Sequence, residues 1–205
     1  MAVKLTKNEL KKQKDSLKQY ERYLPTLQLK KQQLQTVIMS IIAEHEKREA
    51  EREAMIGDLD DWIAVFQENT VFDPEKQIGL LVQPDEVVCG EDNVAGVTIP
   101  VFRTLTFKPI AYDVADYPLW VDTALVKLKE IARLDALCKV LRQQVELLEK
   151  ELRSTSQRVN LFEKVKIPEA KENIRIIGIY LGDQQTTAVV RGKIAKKKLQ
   201  EAAVQ

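Results

Sequence analysis

The sequence predicts a mainly α-helical protein: a long antiparallel two-helix coiled coil from the N- and C-terminal segments, with a small central lobe containing a short β-hairpin. Three observations carry that reading. Apolar residues recur at alternating spacings of three and four over two long stretches, the repeat by which a helix turns one stripe toward a partner helix. The 205 residues include only seven glycines and seven prolines, and 6% are aromatic; a sandwich or barrel uses more turn-formers and strand-forming aromatics. Between the two stretches the pattern changes to β-branched runs broken by Gly, Pro and Asp. With 44% hydrophobic and 31% charged residues, the chain can bury a core and lacks the composition of a disordered one.

The first helical segment is read over 1–72. Leu10, Leu17, Leu24, Lys31, Ile38 and His45 hold one seam position, and Gln13, Tyr20, Leu27, Leu34 and Ile41 hold the other. Polar Gln13, Lys31 and His45 cost stability and fix register, as polar seam residues do. The pattern is expected to continue through the charged run 44–53 to about Asn69 and to stop before Asp73-Pro74, because the residue before a proline is pushed out of the helical region. Some 65 helical residues span about 100 Å.

The central lobe is read over 73–117. Ile78–Val82, Val97–Val101 and Arg103–Phe107 look like short strands, separated by Pro84-Asp85, Gly90-Glu91-Asp92-Asn93, Gly96 and Pro100. A unit of that size is too small to fold alone and must lean on the helices. The second helical segment, 118–205, starts near Pro118 with Asp116 close before it. Its seam is Leu134, Cys138, Leu141, Val145, Leu148, Leu152, Thr155, Val159 and Phe162; past Pro168 the phase shifts and resumes as Ala170, Ile174, Ile177 and Leu181. Pro25 and Pro168 each fall inside a helical pattern and are expected to bend the helix, since proline removes a hydrogen bond and crowds the preceding turn. In an antiparallel pair both bends fall at one height; the alternative is two helix breaks unrelated to each other.

The net charge of +1 hides segregation. Residues 1–31 carry nine Lys/Arg against three Asp/Glu, 57–123 carry three against thirteen, and 158–198 carry ten against four. Such a distribution points to different partners for the basic ends and the acidic middle. Several function classes are excluded or disfavoured. No phosphate-binding glycine loop occurs, and the start His45-Glu46 lacks the second histidine of a zinc motif; it is the sole histidine. Catalysis, cofactors and metals are therefore not expected. The basic ends lack interleaved aromatics and a groove-reading module, so nucleic acid is not an expected partner. No apolar stretch reaches the roughly 20 residues of a membrane span, and MAVKLTKNELKKQKD has no apolar leader core. Cys89 and Cys138, far apart and outside any C-x-x-C, read as reduced cytosolic thiols.

Periodicity does not choose among shafts, scaffolds and tethers. Particular residues do. The block Arg158-Val159-Asn160-Leu161-Phe162-Glu163-Lys164-Val165-Lys166-Ile167-Pro168 resembles the C-terminal signature of the D-subunit family of V/A-type (vacuolar and archaeal-type) ATPases, and the basic tail Arg191…Lys193…Lys196-Lys197-Lys198 follows as in that family. Asn93-Val94-Ala95-Gly96-Val97-Thr98-Ile99-Pro100 is similar to the family's central glycine-and-proline segment, and Leu5-Thr6-Lys7 and Leu27–Leu34 match in type. The start Lys4-Leu5-Thr6-Lys7 and the run Gly182–Ala188 depart from the family pattern, which points to a divergent, bacterial branch.

The resemblance implies a central rotor shaft, itself non-catalytic. Its implied partners are the catalytic and regulatory subunits of an ATPase hexamer, the small F subunit of the central stalk, and a funnel-shaped coupling subunit over the membrane ring. It also implies a cytoplasmic, peripherally membrane-associated location, with no direct membrane insertion. Expected hexamer contacts are Lys4, Lys7, Arg191, Lys193, Lys196, Lys197 and Lys198, with Arg158, Asn160 and Glu163 lower down; intrahelical or interhelical pairing is the structural alternative for those last three. The seam, Leu10, Leu17, Leu24, Leu27, Leu34, Ile38, Leu141, Val145, Leu148, Leu152, Val159 and Phe162, is expected to carry torque. The acidic lobe is expected to face the F subunit and the coupling subunit. The rival reading is a stand-alone coiled-coil adaptor or tether, and an intermediate one a basic coiled coil on anionic membrane or nucleic acid.

Overall fold

The computed structural model describes residues 3–60, 78–113, 117 and 120–203. Helix α1 spans Lys7–Asp60, a helical turn α2 Ile78–Leu81, strands β1 and β2 Pro84–Val94 and Val97–Phe107, and helix α3 Val121–Leu161. A π-helical turn, Phe162–Lys166, leads into helix α4, Ile167–Ala203. The expected end of the first helix near Asn69, the break at Asp73-Pro74 and the expected start at Asp116 and Pro118 lie outside the described residues.

Thr6 opens α1: its Oγ1 accepts the Glu9 backbone N–H at 3.2 Å, satisfying one of the four orphan donors of the first turn. Pro25 lies inside α1, which continues past it. Pro168 is the second residue of α4, separated from the π turn by Ile167 alone. In that turn the Ile167 N–H reaches back five residues to the Phe162 carbonyl. The wider turn takes up one extra residue, so the apolar rows before and after Pro168 differ in phase by about 100° of helix rotation.

The chain divides into two compact units, Met1–Lys31 with Ser154–Gln205, and Gln32–Arg153. The first unit contains nineteen Lys/Arg against eight Asp/Glu, and the second thirteen against twenty-three. The two basic segments thus belong to one unit and the acidic one to the other.

Within the first unit the start of α1 runs beside the end of the chain. Tyr20 and Phe162 stack with ring centroids 5.3 Å apart, and the Lys171 Nζ lies 3.5 Å from Glu21 Oε1. Thr155, Val159, Ala170 and Ile177 are buried, with Leu10, Leu17, Leu24 and Leu27 half-buried. Pro25 follows Glu21 by about one turn and Pro168 precedes Lys171 by about one turn. On antiparallel helices those displacements run the same way, so the two prolines share a height.

Within the second unit Leu34, Ile38, Ile41, Leu141 and Leu148 from α1 and α3 enclose Ile99 of β2, with Val145 and Leu152 packed alongside. A second cluster holds Leu81, Val121 and Leu125. The strands form one antiparallel hairpin, with Val94 opposite Val97 and Pro84 opposite Phe107, and bulges between Pro84 and Val87 and between Val88 and Cys89. Three details differ from the sequence expectation. Ile78–Leu81 is helical, because a four-residue apolar run has no period to tell helix from strand. Val97–Phe107 is one strand rather than two. Pro84-Asp85 and Gly90–Asn93 are strand; the turn is Ala95-Gly96, both at positive φ (51° and 83°), the geometry of a type I′ hairpin loop. Gly90 is in the strand for a separate reason: a Cβ there would meet the Arg103 Nε at 2.8 Å.

Candidate partner-binding surfaces

The burial of α1 follows the three-four spacing from Leu10 through Ile41 to His45, and continues through Arg48, Arg52, Met55 and Leu59. Beyond Ile41 the stripe turns polar. In its place is a charged network between α1 and α3. Arg142 donates from Nε to His45 Nε2 and from Nη2 to Glu49 Oε1, each at 2.9 Å. Arg52 donates to Asp135 at 3.2 Å, and Lys139 lies 2.7 Å from the other Asp135 oxygen. The Lys139 ammonium, and then the Arg52 guanidinium, hold the Asp135 carboxyl below the usual carboxylate range against the opposing effect of desolvation. Burial raises the neighbouring Cys138 thiol. Sequence reasoning gave His45 a seam position but missed Arg52, Asp135 and Arg142; the signal was the unbroken spacing through 48, 52, 55 and 59.

The sequence-predicted contact residues lie on the first unit's surface. Lys4, Lys7, Arg158, Asn160, Glu163, Arg191, Lys193, Lys196 and Lys198 are exposed and make no ion pair with a described residue, and Lys197 is exposed as well. For Arg158, Asn160 and Glu163 the alternative of helix-to-helix pairing is therefore not realised among the described residues. Counting outward from the Glu21–Lys171 pair, α1 begins at Lys7 about opposite residue 185. Some eighteen residues of α4, about 27 Å, extend past that start. From Gly182 to Gln200 every residue is exposed, including the large apolar side chains Val189, Val190, Ile194 and Leu199. That end of α4 combines a basic surface with apolar groups that nothing described covers.

The second unit presents the hairpin. β2 lies against α3: the Phe107 ring takes Lys129 Nζ at 5.9 Å and the Arg133 guanidinium at 5.7 Å, and the Gln144 amide donates to the Pro100 carbonyl. β1 is exposed along nearly its whole length. Beside it runs a groove of about 390 Å³ between Pro84, Val87, Cys89 and Leu105 of the hairpin and Ala132, Asp135, Ala136, Lys139, Val140 and Gln143 of α3. Near the start of α3, the Tyr112 hydroxyl donates to Asp122, which raises the phenol's pKa. Among the described residues no group of three or more His, Cys, Asp or Glu is placed to hold a metal, and no helix is long and apolar enough to cross a membrane.

Comparison with known proteins gives a consistent result. The profile of a family described as the ATP synthase D subunit matches residues 9–197. A V-type ATP synthase D subunit from Borreliella burgdorferi is 48% identical over 197 residues, 96% of this chain and 95% of that one. Proteins with the same description from Chlamydia pneumoniae and Chlamydia abortus are 34% and 35% identical, over 97% of this chain and 93% and 94% of theirs.

Proposed function

The chain belongs to the ATP synthase D-subunit family, and from that premise we propose that it is the non-catalytic central shaft of a V/A-type rotary ATPase. In this reading it couples ATP turnover in a catalytic hexamer to rotation of a membrane ring that moves protons or sodium ions. The observation that carries the reading is the exposed end of α4. A lone helix of that length is marginal in water, and its uncovered Val189, Val190, Ile194 and Leu199 need an enclosing surface. A collar of catalytic and regulatory subunits supplies one. Arg191, Lys193, Lys196, Lys197 and Lys198, with Lys4 and Lys7, then meet acidic loops. Exposed ion pairs are worth at most about 1 kcal/mol each, weak enough for the contacts to be exchanged as the shaft turns.

A single chain standing among several chemically equivalent catalytic pairs lacks their symmetry and so makes different contacts with each of them. Only a difference in contact energy can shift a conformational population, so the shaft biases the pairs unequally and rotation moves the bias around the ring. Arg158, Asn160 and Glu163 are the lower contacts. The seam transmits the twist, and the acidic hairpin lobe faces the small F subunit and the funnel-shaped coupling subunit. The chain is then cytoplasmic and held at the membrane only through the complex.

The test is purification of the tagged chain from native extract, with subunits identified and MgATP hydrolysis assayed. Recovery of a nucleotide-hydrolysing hexamer containing one copy of this chain is expected. Recovery of the chain alone or as a self-oligomer, without ATPase subunits, would replace the shaft with an adaptor.

A further inference from the structure

The two edges of the hairpin are finished differently. A two-residue loop is flanked by a hydrogen-bonded pair, here Val94 and Val97, and bonded and non-bonded pairs alternate along an antiparallel ladder. Asn93–Thr98, Glu91–Pro100 and Cys89–Phe102 are then the non-bonded pairs, whose backbone groups face away from the partner strand. Pro100 fits this, since it has no N–H to offer. The outer edge of β2 therefore lacks a donor there, and its Pro100 carbonyl is taken by Gln144 of α3. On β1 the Asn93 N–H is taken by the Asp92 carboxylate at 2.7 Å. The backbone of Glu91 and Cys89 is the part of that edge left facing outward.

Proteins blunt such edges with lysines, prolines or a covering element. β1 has a proline only at its first residue, Pro84, and bulges on either side of Val87 and Val88, and both valines are exposed. Its carboxylates Asp85, Glu86, Glu91 and Asp92 form no ion pair with a described residue. Two copies of this strand would repel each other, so the charge selects against self-pairing and in favour of a positive strand. The apolar groove beside the edge offers room for alternate side chains of an added strand.

We propose that the outer edge of β1 is a strand-addition site for an extended segment of another subunit of the complex, with Lys or Arg on one face and apolar side chains entering the groove on the other. This rests on the reading that the hairpin lobe faces partner subunits.

The test compares the full chain alone with the intact complex purified from cells, using amide exchange resolved to single residues and maleimide labelling of the exposed Cys89. The Glu91 and Cys89 amides are expected to exchange freely in the lone chain and at least about 100-fold more slowly in the complex, with Cys89 shielded. Glu91→Pro removes the outward N–H without touching a β1–β2 bond. The variant chain should melt like wild type, yet its complex should label at Cys89 about tenfold faster. Shielding of Cys89 with fast Glu91 exchange, or shielding unchanged by Glu91→Pro, would overturn strand addition and keep the lobe at an interface. Fast labelling and fast exchange in the complex would overturn both.

Discussion

Shortening Leu148 to alanine tests whether the seam holds the two long helices together. Leu148 is 0% exposed and lies in the cluster with Leu34, Ile38, Ile41, Ile99 and Leu141. Leu148→Ala removes three carbons, about 2.4 kcal/mol of lost burial at roughly 0.8 kcal/mol per group. α1, α3 and β2 all contribute neighbours, so the site collapses only partly. A residual void of some 40 Å³ adds about 1 kcal/mol at roughly 24 cal/mol per Å³. The expected loss is about 3.4 kcal/mol. Leu147, the adjacent residue, is 36% exposed, and Leu147→Ala should cost less than about 1 kcal/mol, offset in part by the helix preference for alanine. Urea unfolding followed by circular dichroism at 222 nm separates the two variants. Equal midpoints for Leu147→Ala and Leu148→Ala would refute the packing argument. Under the shaft role proposed above, Leu148→Asp should unfold the chain or uncouple ATP-driven rotation in the assembled complex; unchanged melting together with unchanged rotation would refute that role.

Two further outcomes follow from particular side chains. Gly182 and Gly192 sit inside α4 with open space where a Cβ would go, so Gly182→Ala and Gly192→Ala should each stabilise the helix by up to about 1 kcal/mol, read as slower amide exchange over 178–200 in the free chain; faster exchange would count against a regular helix there. Asp135 has a depressed folded pKa, so its contribution is present above the ordinary aspartate value of about 3.9 and is lost as pH falls through the lower folded value. Asp135→Asn should therefore lower the unfolding free energy obtained from urea titration at pH 7, by no more than about 1 kcal/mol for so exposed a pair, with the gap to wild type closing in acid. A gap that widened below pH 4 would contradict the network of Arg52, Asp135 and Lys139.

The fold was legible wherever it rests on a local period. The stripe from Leu10 to Ile41 and that from Leu134 to Phe162 are visible because a helix brings every third or fourth side chain to one side. The phase change at Pro168 was visible too, but its form was not, since a broken helix and a widened turn shift the phase alike. The hairpin was legible as a lobe and misread in detail, because its turn uses Ala95 at positive φ, a conformation alanine rarely adopts. The network of Arg52, Asp135 and Arg142 was hidden for another reason: residues some ninety apart meet only once two helices have chosen a register. The candidate contact residues were legible only as types, eight of the ten basic beside Asn160 and Glu163, and all of them exposed. Their roles came from the resemblance, since a surface lysine carries no mark of the partner it meets.

The π turn at Phe162–Lys166 bears on how this chain can change through descent. It holds one residue more than an α-helical turn would, with Ile167 alone between it and Pro168. Deleting that residue would restore an ordinary turn and keep Ala170, Ile174, Ile177 and Leu181 facing inward. It would also press the proline ring against the carbonyl four positions earlier, with the slack gone. Loss of the residue alone, with the proline retained, therefore gives a strained intermediate. Relatives that lack the extra residue are therefore expected to lack the proline as well.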